Sequence, residues 1–181
     1  MRFSPRLIAV LLGLTAIVPV QAQESASSGR NYFVPSILWS FFDSDRDVHN
    51  GPGFQLDVGL PLTPSLALEL SAFGSYYGSP EGRLEQRGGL LNGLYTYARH
   101  GRLSRFWLVG AGVMRSDNER VAGSNMVATL GWGTRYHFDG VAALRGGLHY
   151  RLESANGRSY DDFALTLGVE IPFGGQGQGG E

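Results

Sequence analysis

Residues 126–138 read MVATLGWGTRYHF, and the side chains change character at every position. The even positions are mainly apolar or aromatic, whereas the odd positions carry valine, threonine, glycine, arginine and histidine. Successive side chains of a strand point to opposite faces of its sheet. A period of two that persists over this length therefore predicts a long β-strand with one apolar face.

The same alternation recurs from residue 31 onwards and predicts an all-β chain of eight strands. Three of the connections are tight turns, at residues 61–65, 100–104 and 139–140, and the other four are longer and polar. An even number of strands with alternating short and long connections is typical of an eight-stranded antiparallel up-and-down transmembrane β-barrel. The strands are predicted at residues 31–41, 53–60, 66–77, 88–99, 105–116, 125–138, 141–153 and 160–173, and the longer connections at 42–52, 78–86, 117–123 and 154–159.

The two ends of the chain differ from this pattern. Arg2 and Arg6 precede an apolar run at residues 7–18 that is too short to span a bilayer, and a small residue ends the segment at Ala22. This arrangement predicts a signal peptide at residues 1–22, with a retained anchor helix as the alternative. Two further segments are predicted to lack structure because of their composition. They are a flexible N-terminal segment at residues 23–30 and a Gly-rich disordered tail at 174–181.

Composition excludes several classes of function. The chain has no cysteine, and therefore no disulfide, thiol chemistry or lipoprotein acylation site. The formal charge of −1 becomes −3 when the two signal-peptide arginines are removed, and no basic stripe exists, so a nucleic-acid partner is not expected. No segment after the signal peptide approaches the ~20 apolar residues of a spanning helix. If the chain crosses a membrane, it does so with strands.

The direction of the apolar face separates a membrane barrel from a soluble lipocalin-like barrel. Glycine recurs on the polar face, where it relieves crowding inside a narrow lumen and gains nothing in open water. Aromatic residues concentrate near the strand ends, as expected for interfacial aromatics at the two membrane surfaces. Both features favour an outward apolar face. The predicted interfacial aromatics are Trp39, Tyr76, Tyr95, Tyr97, Tyr136, Phe138, Tyr150 and Phe173.

Residues 166–173 read TLGVEIPF, with a polar residue at Thr166, glycine at Gly168, a hydrophobic residue at Ile171 and an aromatic at Phe173. This ending resembles the terminal-strand signal that the outer-membrane assembly machinery reads. Residues 92–95, 109–112 and 131–138 resemble strands of the OmpA-type outer-membrane β-barrel domain family. The resemblance covers residues 31–173 and includes no periplasmic peptidoglycan-binding domain, so it does not imply attachment to the cell wall.

An eight-stranded barrel has an interior that side chains can fill. The turn at residues 61–65 is expected to place Leu60 opposite Leu66, and therefore Asp57 opposite Glu69. A three-residue connection between strands six and seven places Arg135 opposite Arg145. Each pair alone would repel, so the two pairs are expected to meet across the lumen as a charge network that plugs one half of the barrel. Its members are Asp57, Glu69, Arg135, Arg145 and Glu170, with Glu170 near Arg145. Separate hydration of these charges is the alternative.

Candidate chemistry is sparse. Residues 43–47 read DSDRD, but the calcium-loop pattern fails at Val48 and Phe54, where glycine and glutamate are required. A lipid A deacylase, which is also a small outer-membrane barrel, offers an enzymatic alternative through His149 and Ser154. However, the two residues are five positions apart, whereas those enzymes place them two apart on one face. No cofactor and no metal or catalytic site is expected.

These observations predict a monomeric, non-enzymatic barrel in a Gram-negative-type outer membrane, with a structural or surface-interaction role. The expected partners are outer-membrane lipids, lipopolysaccharide and the assembly machinery. A lipid A-modifying enzyme and a narrow, low-conductance channel remain the alternatives.

Overall fold

The computed structural model describes residues 30–41, 50–79, 82–118, 121–138, 142–155 and 158–174. These residues form a closed barrel in which every strand pairs antiparallel with its neighbours in sequence, and the last strand pairs with the first. The predicted all-β, eight-stranded fold is confirmed. The strands are β1 (Asn31–Phe41), β2 (Gly51–Pro61), β3 (Leu66–Ser79), β4 (Gly82–His100), β5 (Leu103–Asn118), β6 (Val121–His137), β7 (Ala143–Ala155) and β8 (Arg158–Phe173).

Several predicted segments lie outside the described residues. They are the signal peptide at 1–22, all but Arg30 of the flexible segment, the acidic residues 43–47, the turn at 139–141 and residues 175–181 of the tail. Within the described ranges, no helix is long and apolar enough to cross a membrane.

The barrel carries its apolar face outside, as the glycine and aromatic patterns predict. On β6, Met126 is 72% exposed and Trp132 is 40% exposed, whereas Val127, Thr129 and Arg135 are buried in the lumen. A band of exposed leucine, valine, isoleucine and aromatic side chains continues around the other strands. An apolar surface of this extent requires lipid rather than water as its solvent. The fold is therefore a transmembrane barrel.

The strands are longer than hydropathy predicts at the end opposite the tight turns. Most of residues 78–86, 117–123 and 154–159, which were expected to form loops, continue the β3–β4, β5–β6 and β7–β8 ladders. The loop prediction was wrong because backbone hydrogen bonds hold a ladder together whether its side chains are apolar or polar. The β4 strand has 19 residues, well beyond the ~9–11 that cross a bilayer.

The β2–β3 register also differs from the expectation. Leu60 lies opposite Leu68, and Glu69 lies opposite Gly59, which is a shift of two residues. The reason is the turn, where the N–H groups of Leu62 and Thr63 both donate to the carbonyl of Leu66, the first residue of β3, so that the β2–β3 ladder begins with Pro61 opposite Ala67. A shift of two preserves parity, so the side chains still face the predicted side.

Candidate functional site

The lumen contains the only concentration of buried charge in the described part of the chain, and Glu69 lies at its centre. The Glu69 carboxylate accepts two hydrogen bonds from Arg145, at 2.6 and 2.8 Å, and a third from the Tyr32 hydroxyl at 2.6 Å. The residue is fully buried. A planar guanidinium that meets both carboxylate oxygens is the strongest form of this ion pair.

Arg135 forms the second ion pair of this charge network. Its Nε atom lies 2.7 Å from Oε2 of Glu170, with the N–H directed away from hydrogen-bond alignment. A terminal nitrogen of Arg135 also lies 3.9 Å from Glu69. Glu170 was expected near Arg145, but its carboxylate contacts Arg135 because Glu69 already occupies the Arg145 guanidinium. Arg135 and Arg145 face each other across β6 and β7 as predicted.

The ring of Phe106 contacts the guanidiniums of both Arg135 and Arg145 and helps to hold these two groups close together. The guanidinium carbons of Arg145 and Arg135 lie 4.7 and 5.0 Å from the centre of its ring. An aromatic face attracts a cation, so the ring stabilises two like charges that Coulomb repulsion would separate. Parity places Phe106 in the lumen, whereas its apolar character favours a lipid-facing position. The structure therefore assigns it a position that hydropathy alone does not indicate.

Asp57 does not join this group directly. Its register partner is Ser71 rather than Glu69, because the β2–β3 ladder is shifted by two residues. The Asp57 carboxylate accepts a hydrogen bond from Gln55 at 2.8 Å, and the Gln55 oxygen accepts one from Arg151 at 3.0 Å. The structure thus brings four of the five predicted residues together and connects the fifth to a neighbouring layer.

This second layer was missed by sequence reasoning. Arg151 lies 4.3 Å from the Phe73 ring centre and faces Asp162 across the β7–β8 ladder. Further along the lumen, Glu153 accepts a hydrogen bond from Asn125 at 2.7 Å. The alternation along β7 was sufficient to find these residues, because Arg151 and Glu153 lie an even number of positions from Arg145 and therefore face the lumen with it.

Glycine provides the space that the larger lumen side chains need. A Cβ atom on Gly133 would lie 2.4 Å from the Phe106 ring and 2.5 Å from the carbonyl of Gly146. The polar-face glycines noted in the sequence therefore correspond to close approaches inside the barrel.

The enzymatic alternative has no matching geometry at its candidate residues. His149 is buried in the lumen, where Nε2 lies 3.1 Å from the Thr166 hydroxyl. Ser154 is exposed on the outer face of the same strand. A nucleophile and its base must lie within hydrogen-bond reach, and these two point to opposite faces. Among the described residues, no group of three potential ligands is placed to hold a metal ion.

The predicted interfacial aromatics lie on the outer surface, and several of them contact other aromatic side chains. Tyr136 packs edge-on against Phe138, with the ring centres 5.5 Å apart. The Tyr97 hydroxyl accepts a hydrogen bond from the Trp132 indole at 2.9 Å. Trp39, Tyr76, Tyr136, Phe138 and Phe173 are exposed, and Tyr95, Tyr97 and Tyr150 are half-buried. Trp107 and Trp132 join this group near the tight turns, although the sequence pattern did not single them out.

The four residues of the predicted assembly signal divide between the faces of β8. Thr166 and Gly168 face the lumen, whereas Ile171 and Phe173 face outward. Phe173 packs against Phe33 on β1, with ring centres 6.0 Å apart, so it lies at the closing seam of the barrel.

No family model matches the sequence, and no curated protein is significantly similar to it. Solved structures are similar in fold. Neisserial surface protein A (NspA) has a TM-score of 0.66 and 12% identity over 79% of this chain and 97% of its own. Ail, the attachment invasion locus protein of Yersinia pestis, has a TM-score of 0.55 and 13% identity over 81% and 99%. The outer membrane protein OprG from Pseudomonas aeruginosa has a TM-score of 0.54 and 10% identity over 82% and 98%.

At these identities the likeness concerns the fold. All three are eight-stranded outer-membrane barrels. The likeness is consistent with the OmpA-type barrel domain that the sequence resembles. The chain therefore has the fold of the eight-stranded transmembrane barrels.

Proposed function

We propose that this chain is a non-enzymatic outer-membrane barrel with a structural or surface-interaction role, and that buried ion pairs plug its lumen. The observation that carries the proposal is the bidentate contact of Glu69 and Arg145 inside a barrel whose exterior is apolar. The first feature supports a closed lumen and the second supports a position in lipid. No nucleophile and base come together at the candidate residues.

The orientation follows from the two ends of the barrel. Tight turns and both barrel termini lie at one end, which in outer-membrane barrels faces the periplasm. Export by the predicted signal peptide and insertion by the assembly machinery agree with that orientation. The other end then faces the outside, in contact with lipopolysaccharide.

A surface role is supported by the length of the strands at the outer end. The β3–β4 and β5–β6 hairpins contain strands of 14 to 19 residues, so part of each ladder rises beyond the bilayer. A hydrogen-bonded backbone loses less entropy on binding a partner than a flexible loop does. The relative named for attachment and invasion has the same barrel, which makes adhesion one form that this role can take.

A narrow channel is the second candidate, because a water-accessible cavity enters the lumen from the tight-turn end. Closure by the ion pairs disfavours it. A lipid A deacylase is disfavoured by the separation of His149 and Ser154 on opposite faces.

Membrane fractionation with heat-modifiable gel migration tests the proposal most directly. We expect the chain in the outer-membrane fraction, and we expect unheated samples to migrate differently from heated ones because the closed ladder resists detergent. Purified, signal-free protein that stays folded and monomeric in buffer without detergent would contradict it. Mass spectrometry of lipid A from cells with and without the gene tests the absence of deacylation. Loss of an acyl chain that depends on Ser154 would overturn the non-enzymatic assignment.

A further inference from the structure

The outward face of β5 carries one arginine near each end and only apolar or aromatic side chains between them. Arg105 and Arg115 are both exposed, and they lie ten positions apart, from residue 105 to residue 115. With a rise of about 3.3 Å per residue and a strand tilt of about 40°, their backbones are separated by about 25 Å along the barrel axis. That distance matches the height of the apolar band of an outer-membrane barrel. Each arginine therefore lies at the level of the headgroups of one leaflet.

Arg105 is an isolated charge on the outer surface. Among the residues that the structure describes, it is the only arginine, aspartate or glutamate on the outward face of the strands at the tight-turn end. Its guanidinium forms no ion pair or hydrogen bond with another described residue. A guanidinium at a membrane surface attracts lipid phosphate, and its planar fork suits the phosphate oxygens.

A β-bulge keeps large side chains away from Arg105. The β4–β5 register slips between Thr96 and Ala98, so that Ala98 lies opposite Arg105 where a regular ladder would place Tyr97. On the other side, the half-exposed Thr134 of β6 lies opposite Arg105. Both neighbours are short, so the guanidinium is accessible from either adjacent strand. Bulges recur beside functional sites, and this one is an observation independent of the charge.

The side chain displaced by the bulge belongs to an aromatic platform, which consists of Tyr97, Trp107 and Trp132. The Trp132 indole donates a hydrogen bond to the Tyr97 hydroxyl at 2.9 Å, and the ring centres of Tyr97 and Trp107 lie 6.3 Å apart. Because β5 lies between β4 and β6, this hydrogen bond crosses β5 on the outer surface. The two indoles are 47% and 40% exposed. Amphipathic rings of this kind pack against lipid at the headgroup level.

We propose that Arg105 and the aromatic platform bind an anionic glycerophospholipid of the periplasmic leaflet. Arg105 donates hydrogen bonds to the lipid phosphate, and the Thr134 hydroxyl provides a second contact beside it. The platform packs against the glycerol backbone and the first methylene groups of an acyl chain. The proposal rests on the membrane position and orientation proposed above, which put the tight-turn end in the leaflet of glycerophospholipids rather than of lipopolysaccharide.

The charges of the site favour an anionic headgroup over a zwitterionic one. Both kinds of headgroup carry a phosphate, but a zwitterionic headgroup also carries a positively charged ammonium group. Among the described residues, no carboxylate lies on the outward face of the strands at this end, so the ammonium group gains no ion pair. One basic side chain near a membrane surface favours an anionic lipid about fivefold.

Quenching of tryptophan fluorescence by brominated lipids tests the proposal. The chain has three tryptophans, and Trp39→Phe removes the one outside the platform, so that emission reports on Trp107 and Trp132. This background variant is folded into vesicles that mix phosphatidylcholine with phosphatidylglycerol, with bromine on the acyl chains of one lipid at a time. We expect phosphatidylglycerol to occupy the positions beside the indoles about fivefold more favourably than phosphatidylcholine. Added salt should weaken this preference.

Arg105→Gln in the same background should remove the preference. Arg115→Gln is the matched control, because it removes the same charge from the outward face of the same strand, at the opposite end of the apolar band. A preference that survives in Arg115→Gln and disappears in Arg105→Gln supports the proposal. Equal losses in the two variants would show diffuse surface charge and overturn it.

The same measurement separates failure of the site from failure of the membrane position. If both lipids quench the indoles equally in the background variant, the lipid site is overturned and the membrane position stands. If neither lipid quenches them, the membrane position and the site are overturned together. Heat-modifiable migration checks the fold of every variant.

Discussion

The lumen residues of this barrel stabilise one another in a neutral arrangement. Two guanidiniums, of Arg135 and Arg145, meet two carboxylates, of Glu69 and Glu170, around the ring of Phe106. A buried ion pair adds little to stability compared with a well-packed apolar core, but removing one member leaves an uncompensated charge. The consequence is that single and paired substitutions differ sharply in effect.

Glu69→Gln tests this directly. We expect the free energy of unfolding to fall by ~3–5 kcal/mol, because Arg145 keeps its charge and loses its partner in a buried site. Urea titration of the protein folded into lipid vesicles measures the change. Glu85→Gln is the control. Glu85 pairs with Arg87 at 3.9 Å on the exposed outer surface, so this substitution should lower the free energy of unfolding by only ~0–1 kcal/mol.

A double-mutant cycle completes the same test. Glu69→Gln combined with Arg145→Met should be less destabilised than the sum of the single variants, with a coupling of ~1–3 kcal/mol. Additive losses would show that the two side chains are hydrated separately, which is the alternative that the sequence left open.

Gly133 is a residue at which no side chain fits. Gly133→Ala should destabilise the barrel by ~1–3 kcal/mol, because a Cβ would meet the Phe106 ring at 2.4 Å and a backbone carbonyl at 2.5 Å. Gly93→Ala is the matched control, because Gly93 faces outward and its nearest atom would lie 3.9 Å away. Equal effects in unfolding experiments would contradict the close packing of the lumen.

At the scale of the element, each strand divides its residues between two solvents. On β5, Trp107 and Arg115 mark the two edges of the outward apolar band, and Ala111 lies midway between them. Ala111→Arg should lower stability by ~2–4 kcal/mol, because it places a charge at the bilayer centre. Ser154→Arg, at the exposed outer end of β7, should cost ~0–1 kcal/mol by the same dependence on depth. Unfolding from vesicles measures both, and a larger loss for Ser154→Arg would contradict the proposed membrane position.

The terminal strand β8 carries the proposed assembly signal. Phe173→Ala should lower the amount of barrel in the outer membrane of cells, because the assembly machinery would lose its terminal aromatic. Refolding into detergent should change much less. Phe163→Ala removes a similarly exposed ring from the same strand and serves as the control. If both variants lower cellular assembly equally, the effect comes from lost aromatic contacts and the signal assignment is wrong.

At the scale of the whole molecule, closure of the ladder separates the lumen from lipid on all sides. We expect no stable conductance in planar bilayers, because the lumen contains the Glu69–Arg145 ion pair and the Phe106 ring stacked on it, which are proposed to plug it. Glu69→Ala with Arg145→Ala should open a measurable conductance while leaving no unpaired charge between these two positions. The exterior pair Glu85→Ala with Arg87→Ala is the control and should stay closed. Conductance of the original chain at the same level as the double variant would favour the channel.

The alternation of side chains along the sequence determined much of this protein by itself. It predicted eight strands and placed Asp57, Glu69, Arg135, Arg145 and Glu170 on one face of the sheet, and the glycine and aromatic patterns predicted that this face is the lumen. These properties are local, because the direction of a side chain on a strand depends only on its own position along the backbone. A register shift of two residues, such as the one between β2 and β3, leaves them unchanged.

Only the tertiary structure decided which of these residues meet. Glu69 and Arg145 lie on β3 and β7, and their contact depends on the closure of the whole ring and on every register around it. Turn hydrogen bonds at Leu66 moved Asp57 into the second layer, and the bulge at Tyr97 turned Arg99 towards the lumen. Backbone hydrogen bonding extended the strands past the apolar band. A contact across the lumen depends on the register of every strand pair that lies between the two residues. A sequence pattern with period two shows which face each residue occupies, but it does not show the register of each strand pair.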